Sequence, residues 1–175
     1  MKTVRLMNEF RNGKYDAMPH NKFVEYMIHI CIRHLSLKKY ELNLPKSAVK
    51  EAVNDLHLYV RKNGTSNAGF RCININLANW QMGNKEWSEY KSLNDDPVIG
   101  RIDVSDNKDI LMCLVAHEVS HYIQYTYRNW LPEYLKKEYK KPHGRTFQKI
   151  YRYLRADLIN PIIKDKREQY LERLA

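Results

Sequence analysis

The chain lacks what a membrane protein, a disulfide scaffold or a disordered tail would need. No apolar run approaches the roughly 18 residues of a membrane span, and mean hydropathy is −0.67, which excludes a transmembrane protein. The basic start Met1-Lys2-Thr3-Val4-Arg5 never reaches the apolar stretch of a secretory signal, so a cytoplasmic location is expected. Cysteines number three, Cys31, Cys72 and Cys113, and no two form a C-x-x-C pair. Neither a disulfide framework nor a zinc ribbon fits that spacing, and the three read as small buried apolar side chains. Gly and Pro are scarce at six each, which argues against wholesale disorder. Acidic side chains are also short, 20 against 30 basic ones, for a net charge of +10 in 175 residues. That length suits one domain, and that charge favours an anionic partner, nucleic acid first.

The excess is uneven. Residues 1–107 hold 16 basic and 12 acidic side chains, whereas 108–175 hold 14 and 8. Lys136, Lys137, Lys140, Lys141, Arg145, Lys149, Arg152 and Arg155 face only Glu138 between 136 and 155. This segment reads as a basic ridge for a nucleic-acid backbone, with Trp80, Trp87, Trp130 and Tyr139 as aromatics that could stack on bases.

A polar arm over 1–20 precedes one domain over 21–175. Helical spacing of Phe23, Met27, Ile30 and Cys31 predicts a helix from Asn21, its N-cap, to Leu37. Val49, Val53, Leu56 and Val60 predict a second over 47–62. Alternation predicts strands over Phe70–Leu77 and Val98–Val104, with a polar, aromatic-bearing excursion over 80–96 between them. Ser105 and Asp106 offer capping chemistry for a long helix over 108–127. A short helix over 134–139 follows, then a helical region from Gly144 that Pro161 should kink or split. Two helices, a small sheet and further helices make an α+β domain.

Within the long helix, His117-Glu118-Val119-Ser120-His121 is an H-E-x-x-H sequence in strongly helical surroundings. Four helical residues advance about 6 Å along the axis and roughly 400° around it, so both imidazoles leave one face and can reach one ion. Zinc suits them, and Glu118, about 100° round from His117, takes the position of a general base. Catalytic zinc usually has three protein ligands and one open position. The extended form with a downstream glycine and histidine fails, because Gln124 and Tyr127 occupy those positions. Glu133, Glu138 and His143 remain, and His143 is preferred because Pro142 and Gly144 can set its direction at a helix entrance. A carboxylate orienting the histidines is expected, with Asp157 as candidate. Tyr122, Tyr125, Tyr127 and Arg145 are the nearby candidates for an oxyanion donor.

The helix Asp109–His121 followed by His143-Gly144-x-x-Phe147 resembles the SprT-like zinc metallopeptidases, the group of the Spartan-type proteases that act on DNA–protein crosslinks. The resemblance covers about 108–155. It implies a single zincin-like domain, a small β-sheet packed with helices and an active-site helix carrying H-E-x-x-H. It also implies Zn2+ held by His117, His121 and His143, and Glu118 as catalytic base in a gluzincin-like hydrolysis of peptide bonds. The C-terminal zinc ribbon of many members is absent from this sequence, so the chain is similar to a minimal form. DNA-associated proteins are the expected substrates. A regulatory protease for one cytosolic protein, and a non-enzymatic zinc-containing nucleic-acid-binding protein, are the alternatives.

Overall fold

A computed structural model describes residues 8–10 and 12–174. Its centre is the helix α3, Asn107–Thr126, which Asp106 starts: its carboxylate accepts from the backbone N–H groups of Lys108 and Asp109, at 2.8 and 3.0 Å. Side chains from Asp109 to Gln124 are all buried, as for a helix covered on every side. Around it lie α1, His20–Leu35, the short α2, Ala48–Asn54, α4, Glu133–Lys136, α5, Arg145–Leu154, and α6, Asn160–Leu174. A sheet of β1, His57–Arg61, β2, Asn67–Gly69, and β3, Cys72–Asn76, runs in the order β1-β3-β2. β1 pairs parallel to β3, and β2 pairs antiparallel to it. Two short strands, β4, Glu86–Trp87, and β5, Ile102–Asp103, form a separate antiparallel pair. With 49% helix and 10% strand the fold is α+β. α3 packs on α1 and α5 and on β2 and β3, and Ile73 and Ile75 of β3 are buried in the common core.

Two expected elements are corrected. The helix expected over 47–62 stops at Asn54, and residues 57–61 are a strand. Leu58 and Val60 are half-buried there while Tyr59 between them is exposed, a period of two that the helical spacing of Val49, Val53, Leu56 and Val60 concealed. Val53 of that stripe is exposed. The strand expected over Val98–Val104 reduces to Ile102–Asp103. Asp96 explains this, because its Oδ1 accepts from the N–H groups of Val98 and Ile99, at 2.9 and 3.1 Å, and winds them into a turn. The last helical region is interrupted just before Pro161: α5 ends at Leu154 and α6 starts at Asn160. The preceding Arg155–Ile159 widens into a π-helical turn, which absorbs the lost backbone donor and the bulk of the ring before α6 continues.

Other details bear on the expectations. α1 starts after Pro19 without a side-chain cap, so Asn21 is not its N-cap. Within the segment 1–20, Phe10 and Tyr15 are buried in the core, and Phe10 meets Phe23 of α1 edge-on; residues 1–7 lie outside the described residues. Cys31 and Cys113 are buried and Cys72 is half-buried, all three as free thiols. Among the described residues no helix is long and apolar enough to cross a membrane.

Candidate metal centre

His117 and His121 leave α3 one turn apart, and both are buried. His143 arrives from the loop between α4 and α5. The Nε2 atom of His143 stands 3.2 Å from Nε2 of His121 and 3.3 Å from Nε2 of His117. Two ligand atoms held about 2.05 Å from a tetrahedral zinc are about 3.3 Å apart, so these spacings match the edges of such a site. The three nitrogens also cannot satisfy one another. Each Nε2 carries either one proton or one lone pair, and Glu89 holds the proton of His117 on the opposite nitrogen, Nδ1, at 3.0 Å. A cation is the partner that this donor set fits, and the three histidines could hold one.

The rings share a floor. Phe147, on the first turn of α5, lies 4.4 Å from the His121 ring, 4.8 Å from His117 and 4.9 Å from His143, measured between centroids. Gly144 lets the loop turn into α5, since a Cβ there would stand 2.7 Å from Cβ of Lys141. Gln148 donates to the carbonyl of His143 at 2.9 Å. Gln124 grips the same loop from α3, donating to the carbonyls of Tyr139 and Lys141. Its Oε1 and Nδ1 of His121 both lack an aligned partner, although the amide still favours the protonated imidazole; the two groups are close without forming a well-directed bond.

Burial, with the charges of His117 and His143, pushes His121 down to about 3. Burial and His117 also lower His143. Both imidazoles are therefore neutral at pH 7 with lone pairs to offer. Burial works against a charge on His117 too, but the Glu89 carboxylate outweighs it and raises that group. Glu89 itself would be raised by burial, yet hydrogen bonds from His117 and Tyr151 and the charge of Arg155 hold it below the ordinary carboxylate value. Glu118 has no such support. Its Oε2 is buried without a hydrogen-bond partner, and desolvation pushes its carboxyl up to about 7, His117 opposing and Glu89 adding to the shift.

Beside His117 and Glu118 opens a cleft of about 410 Å³, walled by Ser66, Asn76, Trp80, Glu89 and Tyr90 among others, with no Lys or Arg among the described residues of its lining. Several of its amides are engaged in holding the walls. Asn76 donates to the carbonyl of Gly64, at 2.6 Å, and Gln81 exchanges bonds with the Ser88 backbone. Trp80 and Tyr90 remain exposed. The ring of Tyr90 packs 4.2 Å from the His143 ring, and burial with the nearby carboxylates Glu118 and Glu89 raises its phenol.

His117, Glu118, His121 and His143 thus come together, whereas other expected site residues do not. Glu133 is exposed and pairs with Lys136. Glu138 accepts from the backbone N–H of Arg145 at 3.3 Å and pairs with Lys141, so it covers the start of α5, where a carboxylate is favoured. Asp157 binds Lys39 and Tyr40, far from the imidazoles in the hydrogen-bond network. The carboxylate that orients a histidine is Glu89. It sits in the stretch 80–96, where no periodicity marks it. Among the oxyanion candidates, Tyr122 is buried against Tyr127, whose hydroxyl bonds Glu51. Tyr125 stacks 6.1 Å from His121, and Arg145 lies over Tyr134. None of the four lines the cleft; Tyr90 does.

The basic ridge is also corrected. Arg155 is fully buried, and Arg152 clasps Asp96 with both amino groups, at 2.9 and 2.6 Å. Lys136 and Lys141 pair with Glu133 and Glu138, and Lys149 lies over Tyr153. Lys137, Lys140 and Arg145 stay exposed. Trp87 is buried, its indole N–H bonded to Glu89, so it offers no stacking face, while Trp80 and Trp130 are exposed. The chain matches no family model, no curated protein and no solved structure.

Proposed function

We propose that this protein is a zinc-dependent peptidase of SprT-like, zincin-like type. The observation that carries the proposal is the convergence of three imidazole Nε2 atoms, 3.2 and 3.3 Å apart where His143 meets its partners, beside a buried carboxylate with a free oxygen at the end of a cleft. His117, His121 and His143 would hold the ion. Bound zinc supplies a Lewis acid that polarises a carbonyl and acidifies water. Glu118 needs no other partner, and its raised pKa suits a base that takes a proton from the attacking water near neutral pH and passes it to the leaving amine. Glu89 keeps the His117 ring in one orientation. Tyr90, the one phenol on the cleft wall among the described residues, offers a hydroxyl to the oxygen of the tetrahedral intermediate. A purely structural zinc site would have no use for Glu118, which favours the enzyme over a non-catalytic zinc protein.

DNA-associated proteins are the narrower part of this proposal. The net charge of +10 supports it, as do exposed Lys137, Lys140 and Arg145 around the loop that carries His143. The cleft, with no cationic lining among the described residues, would take the peptide rather than the phosphates. The deciding experiment is peptidase activity of the zinc-loaded protein, with and without DNA, against Glu118→Gln. Activity abolished by Glu118→Gln at unchanged zinc content supports the reading. Equal activity in both proteins overturns it, and zinc-dependent activity indifferent to DNA and salt favours a regulatory protease.

A further inference from the structure

Arg155 follows Tyr151 by four residues, so the two share a helix face, and that face turns inward. The guanidinium is fully buried. Its Nε donates to Oδ1 of Asn160 at 2.7 Å, and its Nη1 donates to the phenolic oxygen of Tyr151 at 2.8 Å and to the carbonyl of Ile99 at 3.3 Å; Nη2 is buried without a partner. A guanidinium can only donate. Tyr151 must therefore accept from Arg155, which leaves its single proton for Oε1 of Glu89, 2.7 Å away. The indole N–H of Trp87 donates to the same oxygen at 3.0 Å. Nδ1 of His117 faces both oxygens and lies nearer Oε2, at 3.0 Å against 3.3 Å to Oε1.

We propose that Arg155 and Tyr151 are positioning residues: they fix the direction of a hydrogen-bond chain from Arg155 through Tyr151 and Glu89 to His117, keeping the His117 proton on Nδ1 and its Nε2 lone pair turned toward the metal. This rests on the metal-centre reading for its use, though not for its geometry. Glu89 is buried with two donors on Oε1, so Oε2, the oxygen nearer Nδ1, accepts from His117, and the carboxylate has no proton to return. The π-helical turn that begins at Arg155 lies where the chain has to supply an inward cation beneath the metal ligands. An arginine is the residue for this place because three of its N–H groups reach three different acceptors at fixed angles, tying the Val98–Gly100 turn and α6 to the helix below the site.

Nitrogen-15 NMR of histidine-labelled, metal-free protein reads the tautomer directly, and zinc titration against a competing chelator reads its consequence. At alkaline pH, where the imidazole that Glu89 raises is neutral, Nε2 of His117 should resonate as an unprotonated nitrogen in the wild type. Tyr151→Phe, which keeps the ring and its packing, should mix the two tautomers and weaken zinc binding about 10-fold, within the range of lost supporting bonds to metal ligands. Arg155→Met should do the same, and Arg155→Lys should recover part of the affinity, because its ammonium keeps a buried donor but cannot reach all three acceptors. A purely structural role for the pair would lower the melting temperature and leave the His117 signal and the zinc affinity unchanged in folded Tyr151→Phe; that result overturns the proposal. A wild type that binds no zinc would sink the metal-centre reading, while the NMR signal would still decide the direction of the chain.

Discussion

Nε2 of His121 stands 3.2 Å from Nε2 of His143 although one belongs to the most buried helix of the molecule and the other to a half-exposed loop. An ion shared by the two would tie that loop to the core, so zinc should stabilise the fold. At a free concentration 100 times its dissociation constant the gain is about 2.7 kcal/mol, or roughly 5–10 °C in melting temperature for a chain of this size. Thermal melts of metal-stripped protein with added zinc test this. His143→Ala should forfeit most of the gain; an undiminished gain in that variant would remove His143 from the donor set.

Gln124 is the second tie between α3 and the His143 loop, through the carbonyls of Tyr139 and Lys141. Gln124→Leu keeps the volume and leaves two carbonyls without donors, which should cost about 1–3 kcal/mol in urea denaturation. Zinc affinity should fall with it. A variant as stable as the wild type and equally avid for zinc would mean that Gly144 and Phe147 hold the loop unaided.

Tyr90 is exposed at the cleft and packs on His143 through its ring. Tyr90→Phe preserves the ring contact and deletes the hydroxyl. The expected result is a loss of about 100-fold in kcat with zinc content and KM near those of the wild type. A change confined to KM would make the phenol a substrate contact instead of an oxyanion donor.

Periodic features were legible in the sequence and contingent ones were not. α1, α3 and the buried stripe Phe147, Ile150, Tyr151 and Leu154 repeat every three to four residues and fold that way. The histidines His117 and His121 are read from the same period, and the His143 loop from the Pro and Gly flanking it. Glu89 escaped because its stretch is ordered by contacts distant in sequence, such as Tyr151 to Glu89 across 62 residues, which leave no local repeat. Arg155 misled for a different reason. Its position four residues after Tyr151 was readable as an inward face, but its charge argued for water, and only the acceptors supplied by Tyr151, Asn160 and Ile99 make its burial tolerable.

Gly100 marks a place where backbone crowding decides the sequence. A Cβ there would lie 2.3 Å from the carbonyl oxygen of Asn94 and 2.6 Å from that of Asp96, neither of which can swing away as a side-chain end would. Gly100→Ala should therefore open the turn that Asp96 winds and cost about 1–3 kcal/mol, measured as a lower urea midpoint. The neighbouring Ile99 carbonyl accepts from Arg155, so the same variant should also weaken zinc binding, an effect that a remote surface glycine such as Gly83, with nothing within 4 Å of its Cβ position, would not produce.

His34 contributes to the acid side of the stability profile. Burial, helped by the charge of Lys39 and opposed by Asp157, pushes its imidazole down to about 4, while the unfolded chain takes up that proton near 6.5. Between those values the unfolded state binds more protons than the folded one, so stability rises with pH across the window and this contribution is complete above about 6.5. Going from pH 7 to pH 5 should cost about 2 kcal/mol on this account. His34→Gln keeps an amide against the Tyr40 hydroxyl, which His34 Nε2 contacts, and removes the titration. Urea denaturation of both proteins at pH 5 and pH 7 should give a wild-type pH dependence steeper by that amount. Equal slopes would mean that the imidazole is protonated inside the fold, with Asp157 stabilising its charge against burial.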